Sequence, residues 1–145
     1  MAGPQPTSPE RRGAPSKQIR RFTIEQANKT LPLVKRVVAD IVQVHGKASE
    51  IQTKIDATPN GTTARSVLQE QLELTIDRLD GLLSELHDIG CELKDYQAGL
   101  VDFIGRHKGH DVCLCWKLGE EKIEFFHEIP AGFAGRQPVA QLEET

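Results

Sequence analysis

Aromatic side chains are scarce in this chain. Seven of its 145 residues, 5%, are Phe, Tyr or Trp, and it holds only one Trp, one Tyr and one Met. Long apolar runs are missing too. No stretch of about 18 apolar residues exists, so no segment can cross a membrane as a helix. Cysteine is limited to Cys91, Cys113 and Cys115, an odd count, and nothing before Lys29 reads as a secretory leader. Reduced thiols in a cytoplasm are the expectation. A large charge of one sign is also lacking, since the formal net charge is -3. Catalytic signatures are absent: there is no Gly-x-Ser-x-Gly, no phosphate-binding loop, no His-Glu-x-x-His and no dinucleotide-binding glycine fingerprint.

The small net charge hides an asymmetry. Residues 1–22 carry Arg11, Arg12, Lys17, Arg20 and Arg21 against Glu10, a net +4, which leaves -7 on the rest. An acidic body is a poor platform for nucleic acid, because phosphate contacts need a basic patch. Only the basic leader could reach such a partner. Residues 1–21 also hold Pro4, Pro6, Pro9 and Pro15, and they read as a disordered basic tail. A single domain is expected over 22–137, followed by a flexible tail over 138–145.

Order is expected from Phe22-Thr23. Thr23 followed by Gln26 forms a capping box at a helix start, and Pro32 in the early turns could kink that helix. Apolar positions then step by threes and fours through Ile24, Ala27, Leu31, Val34, Val38 and Ile41, continuing through His45, Ala48, Gln52 and Ile55. Thr58-Pro59-Asn60-Gly61 marks a turn. A second seam runs Leu68, Leu72, Thr75, Leu79, Leu82, Leu86, Ile89 and Leu93. The seams mirror each other, Leu31 facing Ile89, Val34 facing Leu86 and Ile41 facing Leu79. This predicts an antiparallel helical hairpin with helices over 24–56 and 63–90. Leu33, Val37, Val44 and Ile51 form a second stripe, and Ile76 and Leu83 widen the other helix's apolar face. A second copy of the chain could cover this surface, which predicts a homodimer through helical faces.

Beyond Gly90 the periodicity changes to two. Leu100–Phe103, Val112–Trp116 and Lys122–His127 predict a three-stranded antiparallel meander at the open end of the hairpin, so the fold class is α+β. Matching apolar faces pairs Trp116 with Ile123, Leu114 with Phe125 and Val112 with His127. Asp102 then lies on the cysteine face near Cys113, and His127 lies on the opposite face.

Chemistry concentrates in this second part. Cys113-x-Cys115 puts two thiols on one strand face, with Cys91 as a third ligand and Asp102 or Glu128 as a fourth for a bound metal ion; two small buried hydrophobes are the alternative. His127 beside Asp102, Glu124 and Glu128 suits a general base or a metal ligand, or a histidine capping the sheet core. The metal set is thus Cys113, Cys115 and His127, although the register argues against their joint use. His107 and His110 fall in a Gly-rich segment that reads as a solvated loop. His45 sits in a seam opposite Thr75, where it would set register or meet its own copy in a dimer. Glu70, Glu73, Asp77 and Asp80 form an acidic helix stripe.

Several segments resemble one family. They are Phe22-Thr23-Ile24-Glu25-Gln26-Ala27-Asn28, Leu31-Pro32, Leu93-Lys94-Asp95, Gly99-Leu100-Val101-Asp102-Phe103, Leu114-Cys115-Trp116-Lys117-Leu118-Gly119-Glu120, His127-Glu128 and Gly132-Phe133-Ala134-Gly135-Arg136. Together they resemble the small bacterial proteins known as domain of unknown function 2203. Gln26 stands where Glu is expected, and Phe126 where Trp is expected. The resemblance implies no activity. It does imply that the family's motifs contain Lys94, Asp95, Asp102, Cys115, Trp116, Glu120, His127, Glu128 and Arg136, which makes these the candidate ligand-binding residues, several of them gathered beside Glu25 and Asn28. Two functions follow: a cytoplasmic homodimeric interaction or regulatory module, or a metal- or small-ligand-binding protein, an enzyme among the forms it could take, with its site around Asp102, Cys115, His127 and Glu128.

Overall fold

The computed structural model describes residues 19–145. Two helices form a hairpin: α1, Ile24–Asp56, and α2, Thr63–Ile89. Helix α1 starts where the capping box requires. The Thr23 side chain accepts from the Gln26 N–H, and the Gln26 side chain accepts from the Thr23 N–H. Pro32 lies inside α1 without ending it. The helices are joined by a tight turn in which Arg65 donates to the carbonyls of Ile55 and Thr58, satisfying the end of α1. Gly90 ends α2 in the left-handed region.

A five-stranded antiparallel sheet follows, in the order β1 (Glu92–Asp95), β2 (Leu100–His107), β3 (His110–Lys117), β4 (Phe125–Glu128) and β5 (Gln137–Pro138). The expected meander is its centre. The two extra strands are edges, four and two residues long. Such short polar segments carry no period-two apolar signal.

The interior joins helices and sheet. Ala27, Leu31, Val34, Val38 and Ile41 of α1 meet Leu82 and Leu86 of α2 and the sheet face built by Val101, Phe103, Val112, Leu114, Trp116 and Phe126. Three tethers hold the sheet along α1: Asn28 accepts from the Ile123 N–H, Lys35 donates to the Glu121 carbonyl, and Tyr96 stacks on His45 with ring centroids 4.7 Å apart. His45 therefore faces the sheet's β1–β2 turn rather than a polar layer between the helices. Val37, Val44 and Ile51, expected as an uncovered stripe, are buried within the protomer, whereas Gln52 is exposed. Leu33 alone of that stripe stays exposed, with Ile76, Val67 and Leu74 across the hairpin.

Two further expectations change. The segment Gly105–Asp111 is not a loop, because β2 and β3 run through it to the two-residue turn Lys108-Gly109, both residues at positive φ. Gly105 is a strand glycine; a Cβ there would lie 2.8 Å from the Leu114 side chain. The tail expected over 138–145 is docked. Lys108 donates to the Glu143 carbonyl, Gly109 donates to that of Thr145, and Glu144 accepts from the Ile24 N–H. The basic leader lies outside the described residues up to residue 18. Arg20 and Arg21 are described and engaged, Arg21 through a two-point ion pair with Asp111 at 2.8 and 3.1 Å.

Candidate functional site

The register of β3 and β4 decides what the site contains. Cys113 lies opposite His127, Leu114 opposite Phe126 and Cys115 opposite Phe125. This is one residue away from the expected pairing, and a slip of one exchanges the faces of a strand. The cause lies in two adjacent phenylalanines. Phe126 enters the core at 0% exposure. Phe125 stays on the other face, under the Arg136 guanidinium 4.1 Å from its ring. Ile123 is buried as expected, but from the loop before β4, held there by Asn28.

His127 consequently shares a face with Cys113 and Cys115. Asp102 on β2 pairs with Cys115, not with Cys113. Three adjacent strands thus contribute one donor each. The Asp102 carboxylate, the Cys115 sulfur and the His127 ring nitrogen all lie within 4.8 Å of one another. All three residues are buried, with exposures of 7%, 0% and 3%. The sequence-based metal set named Cys113 in place of Asp102.

The hydrogen bonds of His127 fix its tautomer. Nδ1 lies 2.7 Å from the Glu128 carbonyl oxygen, which can only accept, so Nδ1 carries a hydrogen. A neutral ring then turns a bare Nε2 lone pair toward Asp102 Oδ1, 3.3 Å away. Two acceptors facing each other this closely need a cation between them, a proton or a metal ion. Charge-assisted N–H···O bonds close to about 2.7–2.9 Å. A tetrahedral ion with 2.0–2.1 Å bonds instead separates its donors by about 3.3–3.4 Å. A backbone carbonyl that orients a histidine through its second nitrogen is the usual support of a metal ligand.

Asp102 also organises the thiols. Burial, and then the Asp102 charge, push Cys91, Cys113 and Cys115 up to about 12. Lys94 and Arg136 act in the other direction on Cys113 and Cys115, respectively. Lys94 itself is held above its ordinary value, first by its 2.9 Å bond to Glu92.

The other candidates hold structure around this cluster. Arg136 makes a two-point pair with Glu120 at 2.7 and 2.8 Å and lies over the rings of Phe125 and Phe133. Glu120 also accepts from the Lys117 N–H, and the Trp116 indole donates to its carbonyl. Asp95 caps the β1–β2 turn by accepting from Gln97 and Ala98, which lowers its pKa. The Glu128 side chain pairs with His110 at 2.8 Å, outside the cluster. Glu25 meets only Lys29 on the surface. His107, read as a loop residue, is buried against Phe126 and accepts from the Glu143 N–H. Residues of the docked C-terminus were missed, since nothing in their composition signals an anchor.

Fold and site together define a small α+β protein: a helical hairpin whose basal sheet encloses an Asp-Cys-His cluster. The chain matches, over residues 20–139, the family described as uncharacterized conserved protein (DUF2203), and it belongs to that family. No curated protein and no solved structure matches the chain. Among the described residues no helix is long and apolar enough to cross a membrane.

Proposed function

We propose that this chain is a metal-binding protein that holds a zinc-like divalent ion between Asp102, Cys115 and His127. The reading rests on one observation: His127 Nε2, the Asp102 carboxylate and the Cys115 sulfur lie within 4.8 Å of one another, with Nε2 3.3 Å from Asp102 Oδ1 and the ring's other nitrogen turned to the Glu128 carbonyl. A mixed thiolate, imidazole and carboxylate set suits Zn²⁺ among the common ions. Three protein ligands leave a fourth position for water or for Cys113. Lys94 and Arg136 act on Cys113 and Cys115, respectively, in the direction that favours the thiolates a metal needs. Free thiols accord with a cytoplasmic setting.

The test is metal content and cobalt substitution of the purified full chain. The wild type is expected to bind one Co²⁺ with the intense absorption of a thiolate–cobalt bond. Cys115→Ala and His127→Ala should lose that band while keeping their circular dichroism. His110→Ala, at the nearby surface histidine, should keep it. A wild-type protein that takes up neither Zn²⁺ nor Co²⁺ overturns the reading.

A second property is supported by the distal hairpin: self-association, as expected of a homodimeric interaction module. Leu74, 70% exposed at mid-helix, favours it.

A further inference from the structure

We propose that two copies of this chain pair isologously, α2 antiparallel to α2, about a twofold axis through Leu74. This deepens the self-association reading and rests on it. Leu74 is the most exposed large hydrophobic residue among those described. It borders a groove of about 450 Å³ between the helices, lined also by Gln43, Val44, Lys47, Thr75 and Arg78. A groove beside an exposed leucine is the self-complementary arrangement a twofold interface requires.

Charge selects the register. Helix α2 carries Glu70, Glu73, Asp77, Asp80, Glu85 and Asp88 against only Arg65 and Arg78. Two such helices repel unless their cations meet acids. Glu70, Leu74 and Arg78 follow one another at four-residue steps, so they lie along one face. An axis at Leu74 sets Glu70 opposite the partner's Arg78, and by symmetry does so twice. Among the described residues, Glu70, Arg78 and Lys47 take part in no ion pair of the protomer. The same axis sets Val67, 46% exposed, opposite the partner's Gly81. A Cβ at Gly81 would meet no heavy atom within 4 Å, so no close contact within the protomer requires glycine there. A glycine there leaves room for the backbone of a second helix to approach closely.

Sedimentation equilibrium of the full chain tests this. The wild type is expected to be a dimer that weakens as salt rises. Leu74→Glu should be a monomer with unchanged helical circular dichroism. Glu70→Arg and Arg78→Glu should each raise the dimer dissociation constant by about tenfold, since each converts two attractive pairs into repulsive ones. The doubly reversed variant should return to the wild-type value. Residues 70 and 78 are about 12 Å apart along one helix, so that rescue can only act between copies. A monomer at every concentration overturns self-association itself. A dimer whose single reversals are silent, or whose double reversal gives no rescue, overturns this register.

Discussion

Asp102 is the residue on which the buried polar groups converge. It accepts the attention of a histidine, lies beside Cys115, and raises the pKa of three thiols. The thiols are therefore protonated at neutral pH unless a metal displaces the proton. Without metal, Cys91, Cys113 and Cys115 are expected to resist a thiol reagent at pH 8 and to react together once the chain is unfolded. The sign of the pH effect follows. Folding raises each thiol from 9.0 to about 12, so the unfolded chain ionises first. The thiols' contribution to stability should be constant below pH 9 and should fall as pH climbs toward 12, at up to about 1.4 kcal/mol per pH unit for each thiol. Denaturant titrations of the metal-free protein between pH 8 and 11 would read this. A flat profile would mean that the thiols are less enclosed than their geometry indicates. Lys108 offers a gain instead. It holds φ at 50° in the β2–β3 turn, a conformation that suits Asn better than Lys. Its backbone N–H anchors the Glu143 carbonyl at 2.8 Å, while its ammonium meets the Glu143 carboxylate only at 4.0 Å on the exposed surface, a contact of little worth. Lys108→Asn should stabilise the chain by about 0.5–1 kcal/mol in thermal melts.

At the scale of elements, legibility in the sequence tracked the density of apolar signal. The hairpin was readable because its seams repeat over many turns, and the Thr23–Gln26 box marks its first residue. Strands β2 and β3, whose ends at the Lys108-Gly109 turn read as a loop, were readable as alternation only at Leu100–Phe103 and Val112–Trp116. Strands β1 and β5 were not, because Glu92–Asp95 and Gln137–Pro138 are edges whose pairing depends on neighbours rather than on composition. The site was legible in its members but not in its assembly. Asp102, Cys115 and His127 were all named, yet Phe125-Phe126 allows two registers, and the one adopted puts Phe126 in the core and Phe125 under Arg136. That register puts the histidine with the cysteines. Connections between elements carry their own constraint at Gly99, which follows the Asp95-capped turn at φ 72. A Cβ there would lie 2.8 Å from the Leu118 Cβ and 3.0 Å from Val38. Gly99→Ala should thus cost more than about 1 kcal/mol, through both strain and overlap. By comparison, Thr23→Ala should cost about 1 kcal/mol by removing the cap. Chemical denaturation of the two variants would rank them.

Over the whole molecule, burial is unevenly distributed along the hairpin, and that sets where it can open. The continuous core takes in α1 as far as Val44 and α2 at Leu82 and Leu86, with Leu79 packed against it. Beyond it only Ile51 and Ile55 are buried, and no residue of α2 before Leu82 is. The distal half is therefore held mainly by its own helical hydrogen bonds and the turn contacts of Arg65, a arrangement with low local opening cost. The basal half is locked by sheet, aromatic core and docked C-terminus. Amide hydrogen exchange should accordingly show a step. Protection should be highest over residues 31–44 and 101–116, and markedly lower over 47–57 and 63–76. Association about Leu74 would cover only part of this labile region. Raising the protein concentration should then slow exchange around 67–81 while the tip at 57–62 continues to exchange rapidly. Leu74→Glu should abolish that concentration dependence and leave the basal protection unchanged. Loading of Zn²⁺ should do the reverse, slowing exchange in β2, β3 and β4, which would each supply one ligand of the proposed site, with no effect at the tip. A hairpin protected uniformly from base to tip at low concentration would contradict this division, because two helices without a continuous buried seam cannot resist opening equally along their length.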